Sequence, residues 1–336
     1  DSSTSRGLGD VYKRQFVEPL EELSGFEEMT HNMQQDGLIS ITGCIDAQKP
    51  HMIYGVGNGR KNKIIVTFHE QKAKELYEDY RFFDPAVVYY PAKDVLFYQS
   101  DIRGNLLTAE RIQALRAIHE QDEVTVITTF DALMNTMAPA KQLWDSICRI
   151  VPEDTIDLEQ MKDLLVCMGY EKEYQVESMG QFAIRGGILD IFPLTEDNPV
   201  RIEMWGDEVD TIRSFDVESQ KSIENLDEVV IYPACELVLT EAEKRAGIEK
   251  LLKEAESFSK KLRKEMKTEE AHRALSQAQE LAEEWGELAV TAGMDAFLSY
   301  FCEERVGLLD YFDPKETYLF IDCLLYTSPS PRDVEE

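Results

Sequence analysis

Short apolar runs alternate with amphipathic segments between about residues 36 and 150. The runs predict strands at LISIT (38–42), KIIVTF (63–68), AVVYY (86–90) and TVITT (125–129). The segments 69–80 and 108–120 have the spacing of helices that bury one face. Apolar strands separated by amphipathic helices are typical of a parallel sheet that is covered on both faces. The pattern therefore predicts an α/β domain in this part of the chain.

The pattern changes near residue 151, where a different kind of module is expected. Asp157 is placed to cap a helix that ends before Gly169. Strands without intervening helices follow, and the segments 180–193 and 198–216 each predict two strands joined by a glycine-containing turn. These features predict a small antiparallel α+β module that is inserted into the larger α/β domain.

Helix-forming residues dominate the segment from about 240 to 290. Its interrupted apolar stripe predicts two or three surface helices with solvated charged faces. The run ETYLFID (316–322) predicts a last strand. This strand ends in Asp322, at the place where a nucleotide-binding sheet carries the acid that directs a metal ion.

The stretch ITGCIDAQKPHM (41–52) is a partial match to a phosphate-binding loop, whose pattern is G-x-x-x-x-G-K-[ST]. Gly43 and Lys49 are in place, but Gln48 and Pro50 replace the second glycine and the hydroxyl residue. The Cβ of Gln48 obstructs a tight turn around a phosphate. Pro50 has no hydroxyl for Mg²⁺ and no N–H, and it biases Lys49 away from helical angles. By itself the segment is either a chance match or the remnant of a nucleotide site.

The charge balance limits what the chain can bind. It has 35 Lys and Arg against 65 Asp and Glu over 336 residues, a net charge of −30. Such a surface repels nucleic acid over most of its area, although a local basic patch or a DNA-binding partner remains compatible with it. The length suggests about two domains.

Cysteine and histidine give no sign of a metal site. The six cysteines lack C-x-x-C spacing and the five histidines form no ligand cluster, which is typical of reduced thiols in a cytoplasmic protein without zinc. No apolar run has the length of a membrane helix. We therefore expect a cytoplasmic protein with no metal.

The two ends of the sequence differ in character from the rest. Residues 1–15 and 323–336 resemble translated vector or adapter sequence. We therefore expect non-native sequence at both ends and base the fold predictions on residues 16–322.

The stretches GQFAIRGGILDIFP (180–193) and VRIEMWGDEVDTIRSFD (200–216) closely resemble a segment that two bacterial DNA repair families share. One family is UvrB, the damage-verifying subunit of nucleotide excision repair. The other is the transcription-repair coupling factor (Mfd), whose N-terminal region is UvrB-like. The resemblance spans essentially residues 16–322 and includes the loop at 43–50, AERI at 109–112 and GLLDYF at 307–312.

Three features favour the coupling factors over UvrB. UvrB resembles an active helicase with a complete phosphate-binding loop, which Gln48 and Pro50 would disable. UvrB also carries a long β-hairpin that inserts between DNA strands, and the short segment between Tyr90 and Thr108 leaves little room for it. The stretch VTVITTFDALM (124–134) is similar to the coupling factors. The resemblance therefore implies a vestigial loop.

The resemblance also implies a domain organisation. The fold would be a degenerate RecA/helicase-like parallel sheet domain with an inserted small antiparallel α+β domain. Residues 16–148 would be the first part of the UvrB-like α/β domain. Residues 149–236 would be the inserted UvrA-binding-like domain, and residues 237–322 the truncated return to the α/β domain.

In both families the inserted module docks onto UvrA, the ATPase that surveys DNA for damage. Alternation along 200–205 directs Arg201, Glu203 and Trp205 away from the core, and Trp and Arg often anchor interfaces. Arg185, Arg201 and Trp205 match family positions implicated in binding UvrA, where Phe often replaces Trp205. Alternatively, Arg201 and Glu203 are an ordinary cross-strand ion pair and Trp205 belongs to the core.

The resemblance implies a non-catalytic module that recruits UvrA to lesions where RNA polymerase has stalled. No catalytic residue and no cofactor are expected here. The intact family protein is an ATP-dependent DNA translocase, which binds RNA polymerase and double-stranded DNA through downstream domains. Two alternatives are an active UvrB-type helicase subunit with an atypical phosphate-binding loop, and an acidic mimic of nucleic acid that competes with DNA for UvrA.

Overall fold

The computed structural model describes residues 16–35, 37–93, 101–287 and 294–322. The chain folds into two compact units. The sheet unit contains the described residues up to Lys93, residues 117–135 and the described residues from Leu308 onward. The inserted unit contains the described part of 94–116 and of 136–307. The predicted boundaries at 148/149 and 236/237 stay a prediction.

The helices and strands alternate first and then segregate along the chain. The main helices are α1 (Phe26–Met33), α2 (Lys49–Val56), α3 (Glu70–Tyr80), α4 (Asp101–Glu120), α5 (Phe130–Leu133), α6 (Ala140–Trp144), α7 (Leu158–Cys167), α8 (Glu241–Lys264), α9 (Thr268–Glu287) and α10 (Leu298–Phe301). The strands are β1 (Asn62–Thr67), β2 (Val88–Tyr90), β3 (Thr125–Thr129), β4 (Cys148–Ile150), β5 (Glu171–Lys172), β6 (Gln181–Arg185), β7 (Ile188–Ile191), β8 (Val200–Trp205), β9 (Glu208–Phe215), β10 (Ser222–Asn225), β11 (Val229–Ile231) and β12 (Thr317–Ile321). Within the described ranges, no helix is both long and apolar enough to cross a bilayer.

The sheet unit is built on four parallel strands in the order β12-β1-β3-β2. Ile65 of β1 and Ile127 of β3 are fully buried, because helix α3 packs on the sheet through Ala73, Leu76 and Tyr80. Burying uniformly apolar strands under helices is the arrangement that the sequence pattern predicts. The predicted α/β class with a parallel sheet is confirmed.

The predicted strand at 38–42 is wrong, because no strand forms there. Leu38 is 97% exposed and Ile41 is also exposed. An apolar run becomes a strand only where a neighbouring strand accepts its backbone hydrogen bonds and its side chains pack. This segment joins neither described edge of the sheet, β12 or β2. The other three predicted strands of this region form β1, β2 and β3, which lie next to one another.

The inserted unit contains a six-stranded sheet in the order β10-β9-β8-β7-β6-β5, and all its pairs except β5–β6 are antiparallel. Gly186 and Gly206 adopt left-handed φ angles of 63° and 68° in the two hairpin turns. A Cβ on Gly187 would lie 2.9 Å from the carbonyl oxygen of Met204. The predicted hairpins are therefore confirmed, together with the reason for their glycines.

Helix α7 covers one face of this sheet. Its first turn is capped by Asp157, whose carboxylate accepts hydrogen bonds from the N–H groups of Glu159 and Gln160. Its buried residues Met161 and Leu165 belong to the same core cluster as the inward-facing strand residues. The opposite face of the sheet is left for polar side chains, and this face carries the candidate site.

The segment after residue 240 forms helices, as predicted, and these helices, α8 and α9, pack against each other. Thr240 and Glu243 form a reciprocal capping box at the start of α8. Gly247 of α8 is buried against the ring of Phe301, so closely that a Cβ would overlap that ring. This pair of helices is held by a core cluster that includes Leu251, Ala278 and Trp285.

Candidate docking surface on the inserted sheet

The register of the inserted sheet places its outward-facing polar residues in adjacent rows. Residues directly opposite each other in an antiparallel pair point to the same face. Asp190 lies opposite Arg201, which in turn lies opposite Arg213. Ile188 lies opposite both Arg185 and Glu203. All these side chains therefore point away from helix α7.

Asp190 is the centre of the site. It is 1% exposed, and its carboxylate accepts hydrogen bonds from two arginines. Arg201 binds in the bidentate mode, with Nε 2.6 Å from Oδ1 and Nη2 2.9 Å from Oδ2. The Nη2 atom of Arg185 lies 2.5 Å from Oδ2. A buried carboxylate is tolerated only when it is paired in this way.

The two arginines differ in how much of each remains accessible. Arg201 is largely buried, because its guanidinium also lies 4.5 Å from the centre of the Phe215 ring and donates to Gln220. The hydrogen bond to Asp190 raises the pKa of Arg201. The Arg185 side chain is 35% exposed, and Asp190 is its one hydrogen-bond partner among the described residues. Arg201 is therefore fixed in place, whereas Arg185 keeps exposed N–H donors.

The alternative ion pair between Arg201 and Glu203 does not form. Glu203 instead accepts hydrogen bonds from Arg213 and from the Thr211 hydroxyl. Asp190 was not singled out from the sequence, so its role was missed. Asp190 and Glu203 are thus each paired with arginine.

Trp205 lies at the end of β8 and is 86% exposed. The alternative that it belongs to the core is therefore wrong, and the prediction from strand alternation holds. A tryptophan exposed to this extent presents a large apolar area to solvent. We call the surface formed by Arg185, Arg201 and Trp205, with Asp190 beneath the arginines, the docking face.

The predicted remnant of a phosphate-binding loop has a local geometry that differs from the expectation. Gly43 has a left-handed φ of 91°, and Gln48 ends a short 3₁₀ turn. Lys49 begins α2 with helical angles of −56° and −47°, so the expectation that Pro50 keeps it non-helical is wrong. Pro50 fits because it lies in the first helical turn, where an N–H has no partner within the helix.

An ion-pair network occupies the position where the loop lysine would meet a phosphate. The Nζ atom of Lys49 lies 2.7 Å from Asp322 Oδ1 and 2.7 Å from Asp46 Oδ1. Hydrogen bonds from Lys49 and Lys72 lower the pKa of Asp46 to about 2. Burial lowers the pKa of Lys49, but its hydrogen bonds to Asp322 and Asp46 raise it more. These two carboxylates would compete with a phosphate for the ammonium of Lys49.

Comparison with known proteins places the inserted sheet in a described family. Residues 148–237 match the model of the UvrB interaction domain. The chain is 34% identical over 240 residues to the transcription-repair-coupling factor of Bacillus subtilis (strain 168). The aligned residues make up 71% of this chain and 20% of that protein.

Two further relatives extend this similarity. The chain is 31% identical over 271 residues to UvrABC system protein B of Thermosipho africanus (strain TCF52B), covering 79% of this chain and 40% of that protein. It is 31% identical over 227 residues to the transcription-repair-coupling factor of Staphylococcus aureus (strain Mu50), covering 66% of this chain and 19% of that protein. The chain thus spans 19–40% of the length of these relatives.

The docking face lies inside the matched range, on strands β6, β7 and β8. The similarity to the relatives extends beyond that range, over most of the chain. The resemblance seen in the sequence is therefore confirmed: the chain carries a UvrB interaction domain within a region similar to the transcription-repair coupling factors and to UvrB.

Proposed function

We propose that this chain is the N-terminal UvrB-like module of a transcription-repair coupling factor, and that it recruits UvrA during transcription-coupled nucleotide excision repair. The observation that carries the proposal is the docking face, in which a buried Asp190 holds two arginines and Trp205 is exposed on the same side of the sheet. In the intact protein, domains outside this chain would bind RNA polymerase and the duplex DNA along which the motor moves.

Pre-organisation explains how such a surface binds a partner. The carboxylate of Asp190 and the ring of Phe215 fix Arg201, so little side-chain freedom is lost when a partner docks. The exposed donors of Arg185 suit a carboxylate on UvrA, since a guanidinium binds carboxylates through two parallel hydrogen bonds. Trp205 supplies apolar area on the same face of the sheet, and Trp and Arg are the commonest anchors of interfaces.

Titration calorimetry of the chain against UvrA tests the docking face. Trp205→Ala and Arg185→Ala are each expected to lower the binding free energy by about 2 kcal/mol, which is about 30-fold in Kd. Trp205→Ala is the variant more certain to stay folded, because a side chain that is 86% exposed contributes little to folding. Arg149→Ala is the matched control, since Arg149 is an exposed arginine of the matched domain in an ion pair with Glu228.

The double variant Arg185→Ala/Arg201→Ala removes both partners of a buried carboxylate and so endangers the fold. Adding Asp190→Asn to this double variant also removes the buried charge. The UvrA affinity of the resulting triple variant can then be compared with that of the wild type. Unchanged UvrA affinity in Trp205→Ala and in this triple variant, both folded, would disprove the site assignment.

We further propose that the sheet unit binds no nucleotide and that the module is non-catalytic. This part rests on Gln48 and Pro50 and on the direct ion pair between Lys49 and Asp322. Calorimetry with ATP and Mg²⁺ is expected to give no heat of binding. Binding that disappears in Lys49→Met would instead favour an active UvrB-type helicase subunit.

The proposed domain boundaries follow from the same function. Residues 16–148 and 237–322 would form the UvrB-like α/β domain, and residues 149–236 the UvrA-binding domain. We expect the protein to act in the cytoplasm. Limited proteolysis that releases a folded fragment close to 149–236, still able to bind UvrA, would support this division.

A further inference from the structure

The charge of the chain is locally reversed where α8 ends and α9 begins. Residues 260–267 read KKLRKEMK and carry one acid, Glu265, against five cations, whereas the whole chain has 65 acidic against 35 basic residues. We call residues 260–267 the basic tip. Its cations are Lys260, Lys261, Arg263, Lys264 and Lys267.

All five cations are exposed, because the neighbouring residues Ser259 and Leu262 are the ones buried in this turn of the helix. Lys260 and Lys267 have long ion-pair contacts, of 3.6 Å to Glu256 and 3.5 Å to Glu265. In the described part of the chain, the charged groups of Lys261, Arg263 and Lys264 have no side-chain partner. Three positive charges are thus available within one short stretch of surface.

Helix stability explains only part of this arrangement. Cations in the last turn of a helix interact favourably with its dipole, which accounts for Lys261, Arg263 and Lys264. It does not account for Lys267, which lies beyond the helix, or for Met266. Met266 has a left-handed φ of 64° and is 88% exposed, at the position after the helix where glycine is strongly preferred. Met266 therefore places an exposed apolar side chain among these cations.

We propose that the basic tip binds the phosphate backbone of duplex DNA without reading its sequence. Phosphates are the ligands that clustered Lys and Arg side chains bind without sequence information. Since the rest of the chain is strongly acidic, a polyanion is repelled elsewhere and is directed to this tip. The choice of duplex DNA rests on the proposed role in DNA repair, whereas the site itself rests on the charges.

Fluorescence anisotropy of the whole chain with a short labelled DNA duplex tests the proposal, with no UvrA present. The tip variant is Lys261→Gln/Arg263→Gln/Lys264→Gln. The control is Lys172→Gln/Arg245→Gln/Arg305→Gln, which removes three exposed cations elsewhere in the inserted unit, one of them near the other end of α8. Both variants lower the net charge by the same amount, and both sets of positions are exposed.

The tip variant is expected to lose at least about tenfold in affinity at about 50 mM salt, and the slope of log K against log salt is expected to fall by about 3. The control is expected to stay close to the wild type. Absence of DNA binding by the wild type, or an equal loss in both variants, would overturn the proposal. So would a tip variant that still binds DNA but loses affinity for UvrA, since the tip would then be a protein-binding surface. Because the DNA measurement contains no UvrA, its outcome is independent of the docking face.

Discussion

Glu236→Gln is expected to destabilise the inserted unit by about 3–5 kcal/mol, because it removes a buried carboxylate that accepts two hydrogen bonds from a buried arginine. Arg111 is 1% exposed and Glu236 is 7% exposed. Two hydrogen bonds join them, one from Nε to Oε1 and one of 2.9 Å from Nη2 to Oε2. Hydrogen bonds to charged groups each contribute about 1.5–3 kcal/mol, so two bonds give a similar figure.

The assay is urea unfolding, monitored by tryptophan fluorescence. The three tryptophans, Trp144, Trp205 and Trp285, all lie in the inserted unit, so their emission reports the unit that contains the ion pair. The control is Arg149→Gln, which breaks the exposed pair with Glu228 and is expected to cost at most about 1 kcal/mol.

A double variant separates the removal of one charge of a buried pair from the removal of both charges. Arg111→Met/Glu236→Leu replaces both charges by apolar side chains of similar size, and such replacements are often neutral. We therefore expect it to be more stable than Glu236→Gln. If Glu236→Gln costs no more than Arg149→Gln, the reasoning about burial is refuted.

Three further predictions concern stability. Gly247→Ala is expected to destabilise by about 1–3 kcal/mol, since its Cβ would overlap the ring of Phe301. Gly286→Ala is expected to stabilise by up to about 1 kcal/mol, because no atom of the described residues lies within 4 Å of the position of its Cβ. Both changes are measured from urea unfolding midpoints. Met266→Gly is expected to raise the thermal midpoint, because glycine adopts the left-handed φ at about 1 kcal/mol lower cost. Burial raises the pKa of Tyr170, whose hydroxyl donates a hydrogen bond to the carbonyl of Tyr232. The phenol ionises near pH 10 in the unfolded chain but stays protonated in the folded protein. The free energy of unfolding should therefore fall as the pH rises above about 10. Tyr170→Phe should remove this part of the pH dependence, and Tyr174→Phe, at a residue 84% exposed, should not.

Local patterns predicted the elements whose stability depends on local chemistry. The two-residue turn at Gly186 needs a left-handed angle, and glycine marks it in the sequence. The cap at Asp157 is visible for the same reason, since its carboxylate bonds to N–H groups two and three residues later. The strand predicted at 38–42 failed because a strand also needs a partner, and nothing within LISIT specifies one.

Only part of the docking face could be predicted from the sequence. Alternation placed Arg201 and Trp205 outward, and the turn at Gly186 pairs Ala183 with Asp190. The pairing of Asp190 with Arg201 depends also on the chain between β7 and β8, whose path no local rule fixes. A single acid in the apolar run ILDI was the available signal, because a carboxylate buried there requires a cation.

The segment at 43–50 shows how the lysine of a partial phosphate-binding pattern can serve another purpose. Lys49 and Asp322 are 273 positions apart, and they meet because β12 pairs with β1 next to the start of α2. In a working site these groups would be held apart by a phosphate and a metal ion. Here, with Gln48 and Pro50 replacing the residues that admit a phosphate, the same two charges neutralise each other and connect the loop to the end of β12. The lysine therefore contributes to the structure of the sheet unit, and its presence in the sequence is no evidence of nucleotide binding.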